Sequence, residues 1–205
     1  LTFRKLKLIE EHSIHKGETR LFFDQGHLRL FYKELELTKA DCFSSSFYYR
    51  GRWFNSSEAI CECKKQDAET LILNVCWSEL KISQVWQVSL LSEFEIVWKI
   101  KLETQDGISI QSSRAAIFLS DQYREWFSTY EEGSFPKEFL CQDIVLENTK
   151  RKIVGLKNAN SYPGVMLDVS QDINNSVPAI QNSDALYQSR AIYALTMYPE
   201  KGEDV

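Results

Sequence analysis

Alternation of apolar and polar residues in the middle of the chain is the feature that most constrains the fold. Over Ile82–Leu90 every second position is apolar except Gln84, and over Phe94–Leu102 every second position is apolar. A period of two is the side-chain repeat of a half-buried β-strand. The pattern predicts two antiparallel strands joined at a turn centred on Ser92, which places Trp86 opposite Trp98 in the core of a sheet.

Similar strand pairs recur along the chain, and most are separated by turn-forming residues. The predicted strands are Thr19–Phe23 with His27–Tyr32, Ala59–Lys64 with Thr70–Trp77, Cys141–Glu147 with Lys152–Leu156, and the single strands Val165–Val169 and Arg190–Tyr198. A polar loop is predicted over Ser170–Asp184, and one short helix over Tyr123–Phe127, capped by Ser120. Because strands and helices do not alternate, we expect an all-β fold, an antiparallel β-sandwich with one or two short helices.

Composition and charge exclude several classes of protein. The 205 residues are 43% hydrophobic, which is enough for a core and excludes a disordered chain. A net charge of −5 argues against nucleic acid as a partner. No apolar run is long enough for a transmembrane helix. We expect residues 1–205 to form a single β-sandwich domain, and a fragment of a longer sugar-active protein would look the same.

The cysteine pattern indicates free thiols. The chain has five cysteines, an odd number, and two of them, Cys61 and Cys63, share one face of a predicted strand. Metal sites usually need paired or clustered Cys and His ligands, and His12 and His15 have no such neighbours in sequence. We therefore expect no metal and no cofactor. Free thiols and the lack of a visible signal segment favour a cytoplasmic location.

The order of strands and aromatic residues resembles the galactose mutarotase-like β-supersandwich class, which occurs in sugar mutarotases, polysaccharide lyases and accessory domains of glycoside-active enzymes. The segments that carry the resemblance are Phe22–Tyr32, Glu36-Leu37-Thr38, Arg52-Trp53, Ser57-Glu58-Ala59, Trp77–Leu80, Trp86-Gln87-Val88, Trp98-Lys99-Ile100 and Tyr123–Trp126. It extends over roughly residues 18–198 and implies a concave sheet face that handles carbohydrate.

The catalytic pattern of mutarotases is missing from this sequence. The resemblance implies histidines and a late glutamate as acid and base. All three histidines, His12, His15 and His27, precede the central strands, and no glutamate occurs between Glu147 and Glu200. We therefore transfer the fold and the ligand class but no catalytic residue.

The segment Tyr48–Asn55 is the densest aromatic and basic stretch of the chain. Saccharide binding needs a flat aromatic surface for the C–H face of the ring and polar groups for its hydroxyls. Gly51 permits a tight turn that would display the arginines on either side. We predict the ligand-binding residues to be Tyr49, Arg50, Arg52, Trp53, Asn55 and Glu58, and paired arginines favour an acidic sugar.

Three functions remain open from the sequence. The first is a non-catalytic carbohydrate-recognition or accessory module. The second is a sugar-modifying enzyme, an epimerase or lyase, in which carboxylates such as Glu58 and Glu79 act as acid and base. The third is a structural or protein-interaction sandwich whose loop aromatics form a partner surface.

Overall fold

The fold is almost entirely β-sheet. The structure, a computed structural model, describes residues 12–105, 108–138, 142–144, 150–183 and 188–198. These residues form eighteen strands and one helical element, the 3-10 turn Ser56–Glu58. The strands pair antiparallel in sheets that pack in a sandwich-like arrangement. The prediction of an all-β antiparallel sandwich is therefore confirmed.

The chain divides into two compact units, of which unit 1 draws on residues 1–36 and 55–108. Its strands are β1 (Ser13–Lys16), β2 (Thr19–Asp24), β3 (His27–Tyr32), β4 (Leu35–Glu36), β7 (Ile60–Lys65), β8 (Thr70–Trp77), β9 (Ile82–Ser92) and β10 (Glu95–Thr104). Strands β1, β2, β3 and β4 pair in that order, and a second sheet has the order β10-β9-β8-β7. Strand β1 packs on β8 and β9, so this unit has two layers.

Unit 2 draws on residues 37–54 and 109–205. Its strands are β5 (Thr38–Tyr49), β6 (Arg52–Asn55, whose last residue falls in unit 1), β11 (Ser112–Ser120), β12 (Glu125–Ser128), β13 (Glu132–Ser134), β14 (Gln142–Ile144), β15 (Ile153–Lys157), β16 (Val165–Asp168), β17 (Val177–Ser183) and β18 (Ser189–Met197). One sheet has the order β5-β11-β18-β17-β14, with β6 paired to β5, and a smaller sheet has the order β13-β12-β15-β16. Strand β15 packs on β17.

The hairpin β9–β10 forms as the alternation predicts, but its register differs from the prediction. Trp98 lies opposite Val88, and Trp86 lies opposite Ile100. The turn is shorter than predicted, and the register shifts at Glu95 because one residue of β9 is left over as a bulge. The two tryptophans are therefore diagonal neighbours, with ring centres 5.0 Å apart at 66°, and Trp86 is buried whereas Trp98 is half-buried.

The helix predicted over Tyr123–Phe127 is wrong. Glu125–Ser128 is strand β12, which pairs with both β13 and β15. The aromatic residues Trp126 and Phe127 suit a pleated surface, and two flanking strands satisfy the backbone that a lone helical turn would leave unpaired. Ser120 is the last residue of β11 instead of a helix cap, although its Oγ accepts a hydrogen bond from the Gln122 amide.

The other predicted strands have mixed outcomes. The hairpins β2–β3 and β7–β8 are confirmed, as are the single strands β16 and β18. The predicted pairing of Cys141–Glu147 with Lys152–Leu156 is wrong for the residues that are described, because β14 pairs with β17 whereas β15 pairs with β12 and β16. Cys141 and residues 145–149 lie outside the described residues.

The predicted polar loop Ser170–Asp184 is wrong in its second half, which is strand β17. The polar residues of this strand make it look like a loop in the sequence. One of them, Asn182, is buried because its side-chain amide contacts Arg190 and the backbone carbonyl of Glu138. Asp184 lies outside the described residues. The extent of the domain, residues 1–205, stays a prediction.

Candidate functional site

The hairpin β5–β6 carries most of the predicted ligand-binding residues. Its turn consists of Arg50 and Gly51, with φ of 49° and 83°. Two positive φ values are the signature of a two-residue type I′ turn, which matches the twist of the flanking strands. Both Arg50 and Arg52 are exposed at this turn, so the expected display of two arginines around Gly51 is found.

Each of the two arginines lies over an aromatic ring of the same hairpin. The guanidinium carbon of Arg50 is 5.1 Å from the ring centre of Tyr49, and that of Arg52 is 3.9 Å from the ring centre of Phe54. Such contacts hold a cation in place without neutralising its charge. Both guanidinium groups therefore lie at the exposed tip of the hairpin, each over an aromatic ring.

Trp53 lies on the opposite face of the hairpin from Phe54, which is buried. Its ring centre is 5.6 Å from that of Tyr48, and both residues are half-buried. The guanidinium carbon of Arg114, on the neighbouring strand β11, is 5.0 Å from the Trp53 ring centre. Trp53 thus packs by one part of its surface against Tyr48 and Arg114 while part of its surface stays accessible.

Arg114 is held between two aromatic rings. Its guanidinium carbon is also 4.5 Å from the ring centre of Tyr193, which lies on β18. Nε of Arg114 is buried and has no hydrogen-bond partner within the part of the chain that the structure describes. Cation–π contacts with two rings favour this position of the guanidinium.

Tyr193 in turn contacts the carboxylate of Asp143. The Tyr193 hydroxyl donates a hydrogen bond of 2.8 Å to Oδ1 of Asp143, and the Gln181 amide donates to the same oxygen at 3.3 Å. Burial raises the pKa of Tyr193, and the bond to Asp143 raises this pKa further, while the charge of Arg114 opposes the rise. The hydroxyl therefore stays protonated and acts as a donor, and Asp143 is an exposed carboxylate.

We call the group formed by Tyr48, Trp53, Arg114, Tyr193 and Asp143 the Arg114 face, in which Tyr193 is buried, with 4% of its surface exposed. A small apolar cluster of Ala116, Ala179 and Tyr193 lies at its base.

The other side of this sheet is a core. There Phe47, Ile180 and Ile192 are fully buried. Arg190, also on that side, donates to the backbone oxygen of Tyr123 just before β12. The sheet thus packs one side on a core and presents aromatic and polar side chains on the other, as antiparallel sheets commonly do.

Asn55 and Glu58, the remaining predicted binding residues, lie in unit 1. The Glu58 carboxylate accepts a hydrogen bond of 3.1 Å from the backbone N–H of Asn55, and the two side chains form a capping box around the 3-10 turn. The backbone oxygen of Asn55 accepts a hydrogen bond of 3.0 Å from Nε1 of Trp77. These contacts give both residues a local structural role, although both side chains are exposed.

Sequence reasoning missed Arg114, Tyr193 and Asp143. A signal was present for Arg114, because it is a cation within a run of small and apolar residues that reads as a strand over Ser112–Ser120. Tyr193 was placed in a strand but not in a site, since its neighbours come from β11 and β14, which are distant in sequence.

A shallow groove of about 510 Å³ also lies on the smaller sheet of unit 2. Its lining residues are Phe127, Ser128, Tyr130, Glu131, Glu132 and Lys157. Lys157 and Glu132 form an exposed ion pair, which lowers the pKa of Glu132 and raises that of Lys157. Both groups therefore remain charged near neutral pH, and neither is suited to exchange protons with a ligand.

Among the residues that the structure describes, no three His, Cys, Asp or Glu side chains come together as metal ligands would. No helix in the described ranges is long and apolar enough to span a membrane. No protein-family model matches the chain, and no curated protein matches it.

Proposed function

We propose that this chain is a non-catalytic carbohydrate-recognition module, of the galactose mutarotase-like class, that binds an acidic saccharide on the Arg114 face. The observation that carries the proposal is the guanidinium of Arg114, held between the rings of Trp53 and Tyr193. A cation 5.0 Å from the centre of a partly accessible indole offers a charge beside a stacking surface.

The chemistry of the face supports a sugar as ligand. The apolar C–H face of a pyranose ring packs on an indole, and rigid aromatic rings lose little entropy on binding. Asp143 can accept hydrogen bonds from sugar hydroxyls, and the half-buried guanidinium of Arg114 supplies a positive charge for a carboxylate. The exposed Arg50 and Arg52 add positive charge on the same hairpin, which favours a uronate or sialate-like group.

The carboxylates support recognition over catalysis. Glycosidic chemistry generally uses two acidic groups held at a fixed separation around one bond. Glu58 is engaged at the cap of the 3-10 turn, and Glu79 lies exposed in the turn between β8 and β9. Both residues are exposed, whereas the acid of such a pair generally lies in a buried pocket.

Saccharide titrations followed by NMR shifts or Trp fluorescence test the proposal. We expect dissociation constants in the micromolar to millimolar range, as for shallow sites, about −4 to −8 kcal/mol. Trp53→Ala should weaken binding by about 1–3 kcal/mol. Arg114→Lys should weaken uronates more than neutral hexoses, because it keeps the charge but loses the planar fork.

Tyr130→Ala is the matched control, since it removes an exposed aromatic from the groove of the smaller sheet in the same unit. It should bind as the wild type does. No response to any saccharide in a panel of neutral and acidic sugars, or equal binding by Trp53→Ala, would contradict the proposal. Loss of binding in Tyr130→Ala alone would move the site to the groove.

A further inference from the structure

Strand β10 forms an edge of its sheet in unit 1. Among the described strands it pairs only with β9, and it is ten residues long. Long edge strands expose a row of backbone donors and acceptors that another strand can pair with, so most proteins keep edges short or cover them. This edge is neither short nor interrupted by proline or glycine.

The two sides of β10 carry different side chains. Ile96, Trp98 and Ile100 point to the packed side of the sheet but are only half-buried. Their counterparts on β9, such as Val88 and Leu90, are fully buried. An additional strand beside β10 would cover the apolar surface that these three side chains leave accessible.

The other side of β10 carries Glu95, Val97, Lys99, Lys101 and Glu103, of which the four charged residues are exposed. Lys101 and Glu103 form an ion pair on the surface of the strand. Exposed pairs of this kind contribute little and exchange readily for a better partner. The exposed charges of β10 therefore decide which strand can pair with its free edge.

We propose that β10 pairs antiparallel with β10 of a second copy of this chain, around a two-fold axis at Trp98. In this register Glu95 lies opposite Lys101 of the second copy, and Lys101 lies opposite its Glu95. On the packed side, Trp98 meets Trp98 and Ile96 meets Ile100. The Glu95–Lys101 pairs and the apolar contacts thus complement each other across the axis, and Val97 lies opposite Lys99.

Neighbouring registers fit less well. An axis at Lys99 places Glu95 against Glu103 and Lys99 against Lys99, so that only like charges face each other. An axis at Ile100 places Lys99 against Lys101 twice. An axis at Val97 places Glu95 opposite Lys99. Only the five residues from 95 to 99 then lie in the ladder, so it forms fewer backbone hydrogen bonds than the Trp98 axis.

Sedimentation of the purified chain tests the pairing. The wild type should show a concentration-dependent monomer–dimer equilibrium below about 100 µM, the range for a modest strand-addition interface. High salt should weaken the dimer because the charge pairs are at the surface. A wild type that stays monomeric to that concentration would overturn the proposal.

Charge reversals test the register. Glu95→Lys and Lys101→Glu should each weaken the dimer about tenfold to a hundredfold, since each creates two like-charge contacts, and the double variant should restore it. Glu62→Lys, an exposed position on β7 at the other edge of the same sheet, is the matched control and should dimerise as the wild type does. A dimer that responds to Lys99→Glu but not to Lys101→Glu would overturn the Trp98 axis, and one indifferent to every reversal would exclude β10 as the interface.

Discussion

Nε1 of Trp86 donates a hydrogen bond of 2.8 Å to Oε1 of Gln84, two residues earlier on the same side of β9. Both side chains are 2% exposed. A buried indole N–H needs an acceptor, and the neighbour at the next inward position supplies one without leaving the strand. A polar residue in the apolar row of β9 therefore completes the core instead of interrupting it.

We expect Gln84→Leu to destabilise unit 1 by about 1–3 kcal/mol, although leucine is more apolar, because the Trp86 N–H would lose its acceptor in the core. Trp86→Ala should cost about 3–5 kcal/mol through the cavity that it leaves. Urea denaturation followed by circular dichroism measures both. Gln87→Leu, on the other side of the same strand, is the control and should change stability by less than about 0.5 kcal/mol.

A side chain at the β1–β2 turn would collide with a neighbouring carboxylate. Gly17 has φ of +57°, and a Cβ there would lie 2.5 Å from Cδ of Glu93, whose carboxylate accepts a hydrogen bond of 2.8 Å from the Glu18 amide. Gly17→Ala should therefore destabilise by about 2–3 kcal/mol, from backbone strain and the displaced carboxylate.

Gly26→Ala provides the comparison, because Gly26 has φ of +86° but open space around the position of its Cβ. It should pay for the positive φ alone, about 1 kcal/mol. Equal losses of stability in the two variants would mean that Glu93 contributes nothing at the Gly17 turn.

The thiols of β7 should be unreactive near neutral pH. Burial raises the pKa of Cys61 to about 11 and that of Cys63 to about 12, from 9.0. The thiolate is the nucleophile, so alkylation at pH 8 should label the exposed Cys76 well before either of them. Mass spectrometry of digests taken over time gives the order of labelling.

The same shifts predict a dependence of stability on pH. A thiol whose pKa is higher in the folded than in the unfolded chain stabilises the fold up to pH 9 and loses that contribution as the pH rises toward 11–12. The free energy of unfolding of the wild type should therefore fall above pH 9 through these two residues. The variant Cys61→Ser/Cys63→Ser should show a smaller fall in the same range.

Arg50 occupies a position that its residue type does not favour. Its φ of 49° suits asparagine or glycine at the first position of a type I′ turn. Arg50→Asn should stabilise unit 2 by about 0.5–1 kcal/mol. If Arg50 contributes charge to the proposed saccharide site, the same variant should bind acidic sugars less tightly while it binds neutral sugars equally, which separates the two effects.

The sequence predicts the strands well where one face is buried and alternation is clean, as in β2, β3, β8 and β9. It fails where a tertiary partner replaces the local signal. Helix-like capping residues at Ser120 precede a strand because β13 and β15 pair with β12 on both sides. The turn lies at residues 93 and 94 instead of being centred on Ser92, and together with one bulged residue in β9 this places Trp98 opposite Val88 and not Trp86. Alternation alone locates neither the turn nor the bulge.

The candidate site was predictable only in part for a similar reason. Trp53, Arg50 and Arg52 belong to one hairpin, so a local reading finds them together. Arg114 and Tyr193 reach Trp53 through strand pairings between β5, β11 and β18, which bring together residues far apart in the chain. Sequence spacing carries no information about that order of strands.

Tyr193→Phe tests whether Tyr193 and Asp143 contribute to saccharide binding together with Arg114. The change removes the hydrogen bond to Asp143 but leaves a ring beside Arg114. We expect a loss of about 1 kcal/mol in stability, since the acceptor is an exposed carboxylate that water can solvate. If Asp143 receives a sugar hydroxyl, its release from Tyr193 should change saccharide affinity several-fold without altering the preference for acidic sugars. Asp143→Asn should also change saccharide affinity several-fold. Unchanged binding in both variants would limit the site to Trp53 and Arg114.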